Sequence, residues 1–229
     1  MSESTLTPAT FLSRKHETDT IVSFFFQKPE GYEFEAGQAT KICLGDGLED
    51  KELAKTMSFC SAPSEEVLQF TMHVDSQSIF KTKMLALEPQ DRVLLRHAKG
   101  EFTLPPKFEK IYAIAGGVGI TPFISMFREL KTTRPENLKN IAFYHVSSSE
   151  FIFANEYLDL PLTTAQADFK TMEAQLREHR AHLQKGDSPF YLSGSPRFVM
   201  GVRQILQDIG VANERIKLDS FAGYQELLV

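Results

Sequence analysis

The chain has 229 residues, of which 42% are hydrophobic and 24% are charged, and its formal net charge is -5. This length holds one large or two small domains with proper cores, and the acidic balance gives no electrostatic case for nucleic-acid binding. No apolar run approaches the roughly 20 residues that span a bilayer, and the N-terminus lacks a basic segment followed by an apolar one. We therefore expect a cytoplasmic protein with no membrane insertion and no nucleic-acid partner.

The cysteine content limits the redox chemistry of the chain. Its two cysteines, Cys43 and Cys60, lie in apolar, strand-like segments, where a buried and reduced thiol is the ordinary expectation. Two thiolates are too few for an ordinary iron–sulfur cluster. If the protein transfers electrons, any such cluster belongs to a partner.

Short segments divided by Gly, Pro and Asp fill the first half of the chain, up to about residue 104. Apolar residues alternate with polar ones over 68–74, the period of a half-buried strand. One helix interrupts the strands, from about Ser78 to Leu87. Several short strands at this spacing predict an antiparallel β-barrel over residues 1–104. The other predicted strands are 21–26, 39–44, 57–61 and 92–97.

Strands and helices alternate in the second half, which follows the proline pair at 105–106. This alternation predicts a mainly parallel sheet with helices on both faces, over residues 107–229. The expected fold class is therefore α+β with two domains, an antiparallel β-barrel followed by an α/β domain. The predicted strands are 111–115, 141–146, 190–192 and 216–218, and the predicted helices start at Pro122, at about Met172 and after Ser195, the second running to Gln184 and the third ending at Gly210.

The most informative motif is the glycine-rich run that follows the strand at 111–115. Three glycines at 116, 117 and 119 precede Thr121 and Pro122, which suit the N-cap and the first position of a helix. Glycine lets the backbone approach an anion closely, and the amides at a helix start attract negative charge. The run predicts a phosphate-binding loop, and a purely steric need for small residues in a tight turn is the alternative.

A second small-residue loop, 193–196, follows the strand at 190–192. Ligands of open parallel sheets bind beyond the carboxyl ends of the strands, and both small-residue loops leave such ends. We therefore expect the two loops to line one crevice, in the cleft between the domains.

Two histidines raise the question of a metal. His179 and His182 lie three residues apart in a polar helical stretch, so they share a face and could grip one ion. Their neighbours offer no carboxylate or thiolate to complete the shell. We interpret the pair as solvated and predict no metal site.

Over nearly its whole length the chain resembles the ferredoxin NADP reductase superfamily. The resemblance runs from Phe34-Glu35-Ala36-Gly37-Gln38, similar to the family's F-x-P-G-Q, to 221–224, and it is strongest over 115–122 and 193–196. Members hold a flavin on the barrel and a nicotinamide nucleotide on the α/β domain, and pass a hydride between them. The resemblance implies an FAD-dependent NAD(P)H oxidoreductase, with FMN as the alternative flavin and NADH or NADPH as substrate.

On the flavin side, the family's R-x-Y-S signature corresponds to Lys55, Thr56, Met57 and Ser58. The resemblance implies that Lys55 pairs with a flavin phosphate, that Met57 contacts the ring system and that Ser58 reaches the flavin N5 region. Lysine keeps the charge of arginine without its bidentate fork, and methionine gives a soft, polarizable contact. A plain strand whose Met57 packs into the barrel is the alternative.

The second flavin element is the strand-to-helix segment 73–81, where the resemblance places the flavin pyrophosphate at the helix start. Ser78 suits the N-cap and could donate to an anion, although an N-cap without a ligand explains the same serine. Only Gly100 remains of the family's Gly-Pro-Phe-Gly turn. The residues assigned to flavin contact in this segment are His73, Val74, Ser78, Ile79 and Phe80.

On the nucleotide side, the resemblance assigns the pyrophosphate to the two small-residue loops. Ser193 stands for the family's cysteine near the nicotinamide, and Asp219 and Phe221 stand for its acidic and aromatic residues beside the flavin. The predicted catalytic residues are Ser58, Ser193 and Asp219. The predicted nucleotide contacts are Gly116, Gly117, Val118, Gly119, Thr121, Pro122, Ser147, Gly194, Ser195, Pro196 and Arg197.

The choice between NADH and NADPH stays open. Where family members that prefer NADP often place an arginine, the chain reads Ser-Ser-Ser-Glu at 147–150. Serines can bond either a ribose hydroxyl or a 2′-phosphate, and Arg197 could compensate for the missing arginine.

A reduced flavin can release electrons singly, so the resemblance implies a separate electron carrier such as ferredoxin or flavodoxin. The alternative is a degenerate member that serves as a binding or regulatory module, or as a subunit of a redox complex, with weak or lost flavin chemistry. Lys55, Met57 and the missing Gly-Pro-Phe motivate this alternative. Neither the identity of the carrier nor the oligomeric state follows from the sequence.

Overall fold

The computed structural model describes residues 6–45, 52–76, 78–148 and 150–221. The chain divides into two compact units between Thr103 and Leu104. Within the described residues, no helix has both the length and the apolar character needed to cross a membrane.

Antiparallel strands form the first unit. They are β1 (Thr7–His16), β2 (Ile21–Gln27), β3 (Ala39–Cys43), β4 (Ala54–Ser58), β5 (Val67–His73) and β6 (Arg92–Leu95), with helix α1 (Ile79–Leu85) between β5 and β6. Their order across the sheet is β4-β3-β6-β1-β2-β5. Just beyond β4, the amide of Cys60 donates to the carbonyl of Gln69 in β5 at 2.8 Å. This bond links the two edge strands, and the predicted antiparallel architecture of the first half is confirmed.

Aromatic side chains form much of the core of the first unit. The ring of Phe26 lies 5.5 Å from that of Phe11 and 6.0 Å from that of Phe70, between centroids. Phe34 stacks on Phe59 at 3.9 Å. All five rings are buried, and burying one such side chain stabilises a fold by about 1.5–3 kcal/mol. The core therefore gives β4 and α1, which carry the candidate flavin residues, a firm support.

Two strand predictions in the first unit differ from the structure. β4 covers 54–58, whereas the sequence predicted 57–61. The apolar residues after Ser58 are buried in the chain that leaves the strand, and periodicity alone cannot separate such a segment from a strand. β1 was not predicted, because its exposed second half alternates weakly. Both cysteines are buried thiols outside any disulfide, as expected.

Parallel strands form the second unit. They are β7 (Ile111–Gly116), β8 (Ile141–Val146), β9 (Thr163–Ala167), β10 (Phe190–Gly194) and β11 (Ile216–Ser220). The helices are α2 (Thr121–Thr133), α3 (Ala154–Tyr157), α4 (Phe169–Glu178), α5 (Arg180–Leu183) and α6 (Pro196–Asp208). The sheet order is β11-β10-β7-β8-β9, with every pairing parallel. The predicted α/β fold of the second half is confirmed.

The central strand β7 is buried from Ile111 to Ala115, as expected for a strand covered on both faces. Helix α6 packs on the sheet through Val199, Val202 and Leu206, all fully buried. The helix ends as predicted, since Gly210 takes a φ of 91°, a left-handed conformation that favours glycine.

The helix predicted over Met172–Gln184 is wrong in both its start and its continuity. α4 starts earlier because Asp168 is its N-cap and accepts a hydrogen bond from the Thr171 amide at 2.7 Å. The helix then breaks at His179, and α5 follows as a separate short helix. β9 was not predicted because its sequence, TTAQA, is short and polar and forms an edge of the sheet.

Candidate functional site

The glycine-rich loop continues from β7 into α2 through one turn of 3₁₀ helix, Gly117–Ile120. Thr121 and Pro122 are the first two residues of α2, and Ile120, with helical φ and ψ of -66° and -24°, stands before them. The predicted N-cap role of Thr121 is therefore wrong. The preceding turn is already helical, and the amide of Thr121 donates to the carbonyl of Val118 within it.

The three glycines of this loop have different surroundings. A Cβ atom on Gly116 would lie 2.6 Å from the ring of Phe198, and one on Gly119 would lie 2.6 Å from the Cα of Gly194. Both distances are far below van der Waals contact. A Cβ on Gly117 would meet nothing within 4 Å, although this residue has a φ of 52°. Packing within the protein therefore requires two of the glycines, and Gly117 leaves its backbone open to a ligand.

The second small-residue loop packs directly on the first. β7 and β10 are neighbouring parallel strands, and Ser193 pairs with Ala115. The backbone of Ser193 lies against Gly119, too close to admit a side chain there. Ser195 is the N-cap of α6 and accepts a hydrogen bond from the Phe198 amide at 3.3 Å. The structure thus brings the two loops together at the carboxyl end of the sheet in the second unit.

Two of the predicted catalytic residues also meet at this end of the sheet. Ser193 and Asp219 are paired residues of β10 and β11, and the buried Ser193 hydroxyl donates to Asp219 Oδ2 at 3.2 Å. The amide of Phe221 donates to the carbonyl of Gly194 at 3.2 Å. The tail residues assigned to the site therefore lie beside the second loop.

The remaining nucleotide candidates lie near the loops' strands. Ser147 follows β8, donates its amide to the carbonyl of Ala167 at 3.1 Å and its hydroxyl to the carbonyl of Glu150 at 3.3 Å. Arg197 is exposed in the first turn of α6. Ser149, in the same polar run, lies outside the described residues.

Sequence reasoning missed a run of hydrogen-bonded polar side chains beneath the glycine loop. His145 of β8 is fully buried, with Nε2 3.2 Å from the carbonyl oxygen of Gly117 and Nδ1 2.9 Å from the hydroxyl of Tyr157. Gln166 donates its amide to the same hydroxyl at 2.6 Å. Burial lowers the pKa of His145 to about 4. The available signal was a lone histidine in the apolar strand 141–146.

On the flavin side, β4 holds the four residues of the signature. Lys55 and Met57 lie two positions apart and share a face, while the exposed Thr56 and the buried Ser58 share the other. Met57 packs against the core of the first unit, as in the alternative interpretation. Lys55 is half-buried and lies opposite Ile42 in the β3–β4 pair.

Charged and polar groups gather where β5 leads into α1. Lys81 Nζ lies 4.0 Å from Asp75 Oδ1. Burial lowers the pKa of Lys81, Asp75 opposes this shift, and the positive charge of Lys55 adds to it. The Nδ1 atom of His73 is buried without a hydrogen-bond partner, and burial lowers the pKa of this histidine. Two ammonium groups beside one carboxylate leave an excess of positive charge that suits an anion.

Ser78 stands at the N-cap of α1, as predicted, with extended backbone angles. Its side chain makes no capping hydrogen bond. Phe80 is buried and Val74 packs on the core, whereas Ile79 is 47% exposed. Gln77, in the same segment, lies outside the described residues.

The turn that replaces Gly-Pro-Phe-Gly pairs with β3, since Lys99 and Ala39 exchange backbone hydrogen bonds of 2.9 and 3.0 Å. Gly100 follows with a φ of 122°. An open cavity of about 550 Å³ lies beside this turn. It is lined by Lys28, Glu33, Phe34, Glu35, Gln38, Pro63, His97 and Ala98. None of the residues assigned to flavin contact lines it, so this cavity is not the predicted flavin site.

The histidine pair lies at the junction of α4 and α5 in the second unit. His179 follows α4 and places Nδ1 2.8 Å from the carbonyl oxygen of Gln175. His182 lies in α5, and both imidazoles are exposed.

Comparison with known sequences identifies relatives of this chain. Residues 108–166 match a family described as the ferric reductase NAD binding domain. A flavohemoprotein from Bacillus subtilis is 24% identical over 93% of this chain and 59% of its own length. A component of the Na(+)-translocating NADH-quinone reductase from Marinomonas sp. is 25% identical over 76% of this chain and 50% of its own length. The chain thus spans less than two thirds of either relative.

Comparison with solved structures tests the fold. A ferredoxin NADP+ reductase from Neisseria gonorrhoeae, with bound FAD and NADP, superimposes with a TM-score of 0.75 at 21% identity. The superposition covers 96% of this chain and 99% of that chain. The predicted fold class is confirmed, and so is the predicted resemblance, in the fold and in the NAD-binding segment.

Proposed function

We propose that this chain, which has the ferredoxin NADP reductase-like fold with an NAD-binding segment in its second unit, is a flavin-dependent NAD(P)H oxidoreductase. A bound flavin supplies the chemistry of such an enzyme, by accepting a hydride from a nicotinamide and giving electrons to a separate carrier. The observation that carries this proposal is the meeting of two small-residue loops at the carboxyl end of β7 and β10, with the Gly117 backbone open to a ligand.

NADH or NADPH would bind to the second unit through these loops. Gly117 has no side chain in the way of a phosphate. The Gly117–Ile120 turn that leads into α2 and the first turn of α6 would present backbone amides, and both helices direct the positive ends of their dipoles to this place. Each helix has 13 residues, long enough for its dipole to act. Ser147 and Arg197 would contact the adenosine part, whether or not it carries a 2′-phosphate.

Ser193 and Asp219 would shape the nicotinamide end of the site. The carboxylate of Asp219 accepts the hydroxyl proton of Ser193 and so fixes the orientation of that hydroxyl. A hydroxyl that donates one hydrogen bond still has lone pairs to accept another. Ser193 is buried, so Asp219, which is partly exposed, would place its negative charge beside the ring while Ser193 holds the carboxylate in position.

FAD, with FMN as the alternative, would bind to the first unit. The excess positive charge of Lys55 and Lys81 over Asp75 suits a flavin phosphate. The buried, unpartnered Nδ1 of His73 and the uncommitted N-cap hydroxyl of Ser78 are polar groups that a bound cofactor would satisfy. The donor set therefore fits a phosphate-bearing flavin, with ferredoxin or flavodoxin the class of carrier it would serve.

One observation favours a second function. Met57 packs against the core of the first unit, in the position where the family places an aromatic ring on the flavin. A chain that has lost this contact would serve as a binding or regulatory module, or as a subunit of a redox complex, with weak flavin chemistry.

Reconstitution with flavin separates the two functions. The purified chain is incubated with FAD or FMN, freed of excess cofactor, and examined by absorbance before and after anaerobic addition of NADH or NADPH. We expect near-stoichiometric flavin absorbance that one of the nucleotides bleaches. A chain that stays colourless after reconstitution would overturn the oxidoreductase and support the module.

A further inference from the structure

The hydrogen bonds beneath the glycine loop run in one direction. A backbone carbonyl can only accept, so Nε2 of His145 carries the hydrogen of its 3.2 Å contact with Gly117. A neutral imidazole has one N–H, and Nδ1 therefore accepts from the Tyr157 hydroxyl at 2.9 Å. The Tyr157 oxygen in turn accepts from the Gln166 amide at 2.6 Å. Each group thus fixes the proton position of the next.

Aromatic rings pack against His145 and Tyr157, the two members of these hydrogen bonds that are shielded from water. The imidazole of His145 lies 5.2 Å from the ring of Phe151 and 6.2 Å from that of Phe143, between centroids. Phe143 also packs edge-on against Tyr157 at 5.1 Å. His145 and Tyr157 are fully buried. Burial strengthens a hydrogen bond and makes an unpartnered polar atom costly, so the His145–Tyr157 pair resists rearrangement, while Gln166 joins it from the exposed side.

The contact with His145 also sets the direction of the next amide. In a trans peptide the carbonyl of one residue and the N–H of the following residue point in opposite directions. The Gly117 carbonyl points to the buried imidazole, so the Val118 amide points away from it. The first N–H groups of a helical turn have no acceptor within the turn and are available to an anion.

We propose, on the basis of the nucleotide site proposed above, that His145 is a positioning residue that holds the Gly117 carbonyl and thereby aims the Val118 amide at the nucleotide phosphate. Gly117 has no side chain to anchor it and takes a φ of 52°, so its conformation depends on its neighbours. Tyr157 and Gln166 act indirectly, because their hydrogen bonds fix the tautomer of the His145 imidazole.

Two substitutions of His145 distinguish the contribution of its Nε2 atom from that of its Nδ1 atom. In His145→Gln the side-chain amide reaches the place of Nε2 and can still donate to Gly117. In His145→Asn the amide reaches only the place of Nδ1, so the contact with the loop is lost. Both variants lose the imidazole packing, which makes each the control for the other.

Nucleotide affinity is the first measurement, by calorimetry with NADH and NADPH on the full chain. We expect His145→Asn to raise the Kd about tenfold, the effect of losing one buried hydrogen bond, and His145→Gln to stay within about threefold of the wild type. Equal losses in the two variants would overturn the positioning role. If the asparagine variant does not fold, Tyr157→Phe replaces it, with an expected loss of about threefold because Nδ1 loses its donor.

The imidazole nitrogen signals of the unliganded chain give a second measurement, independent of any nucleotide. We expect His145 to show one neutral tautomer, with the hydrogen on Nε2, at neutral pH and down to about pH 5, and we expect Tyr157→Phe to mix the tautomers. A mixed tautomer in the wild type, or protonation at the ordinary pKa of histidine, would overturn the inference. If the single tautomer is found but neither nucleotide binds, the proposed function is wrong, whereas the hydrogen bonds from Gln166 to Gly117 are confirmed.

Discussion

Two regions of the molecule differ in how many of their polar groups have hydrogen-bond partners within the protein. The proposed nucleotide region consists of the two small-residue loops, and the proposed flavin region is the segment where β5 leads into α1. In the second unit, Ser195 caps α6, Ser193 donates to Asp219, and His145 holds the carbonyl of Gly117. Each of these groups has a defined partner within the chain. The two small-residue loops, proposed to bind the nucleotide, are therefore held in place by contacts within the protein.

The flavin region leaves polar groups without such partners. The Ser78 side chain makes no capping bond, and the buried Nδ1 of His73 has no partner. Lys81 reaches one carboxylate, that of Asp75, at 4.0 Å. Buried polar atoms are normally satisfied, so His73 Nδ1 is the group that most needs a partner, and the proposed flavin would supply one. The two regions therefore differ in that packing organises the first, whereas we propose that the second is completed by a cofactor.

The largest expected effect tests packing at the nucleotide loop. Gly119→Ala places a methyl group against the backbone of Ser193 and Gly194, which cannot move aside as a flexible side chain can. We expect a loss of about 3 kcal/mol in the free energy of unfolding, measured with urea. Gly117→Ala is the matched control, with open space and an expected loss of about 1 kcal/mol from its positive φ. Equal losses would contradict the packing account of Gly119.

The second prediction tests the charge of the flavin region. Lys55→Glu replaces an attraction to a flavin phosphate by a repulsion, so we expect FAD affinity to fall roughly 10- to 100-fold. The free energy of unfolding without flavin should change by less than about 0.5 kcal/mol. Lys83→Glu makes the same charge change at an exposed position of α1 and should leave FAD affinity nearly unchanged. Lys55→Arg should retain FAD at least as well as the wild type. Unchanged flavin occupancy in the glutamate variant would remove Lys55 from the site.

The third prediction tests the burial of His145 through pH. Because the pKa of His145 falls from 6.5 to about 4 on folding, the unfolded chain takes up its proton first as the pH drops. Stability from this group is therefore present above about pH 6.5 and lost towards pH 4. Between pH 7 and pH 5, urea unfolding of the wild type should lose about 2 kcal/mol more than that of His145→Gln, whose side chain does not titrate. If the unfolding free energies of the wild type and the variant changed equally with pH, His145 would not be buried in its neutral form.

The smallest expected effect compares one serine from each region. Ser195→Ala removes a capping hydrogen bond and should cost about 1 kcal/mol of unfolding free energy. Ser78→Ala removes a side chain that makes no such bond and should cost less, while lowering FAD affinity a few-fold. If the alanine at 78 destabilised the protein without flavin as much as the alanine at 195, the two regions would not differ in the way described.

Local signals in the sequence predicted much of the fold. The glycines at 116–119, followed by an amphipathic helix, identified the loop, and alternating apolar residues over 68–74 identified β5. Helix ends depend on single hydrogen bonds, which the sequence does not reveal. For this reason the N-cap at Asp168 was missed, and Thr121 was predicted as the N-cap of α2 although it is the first residue of that helix. β9 depends on pairing with β8, which its own short polar sequence does not reveal.

The candidate site was predicted less fully, because its contacts join residues distant in the chain. The distinction between glycines needed for packing and a glycine open to a ligand depends on Phe198 and Ser193, which belong to another loop. The role of His145 depends on Tyr157 and Gly117, which lie in different elements. Only the packing of these strands and helices in the fold brings the groups together.

Anaerobic mixing of the FAD-loaded chain with NADH and, separately, with NADPH tests the proposed oxidoreductase most directly. The flavin absorbance is followed in time for the wild type and for His145→Asn at matched flavin content. We expect full bleaching of the wild type by at least one nucleotide, at a rate that saturates with nucleotide concentration, and half-saturation at higher concentration in the variant. A fully loaded wild type that neither nucleotide reduces would contradict the proposed function.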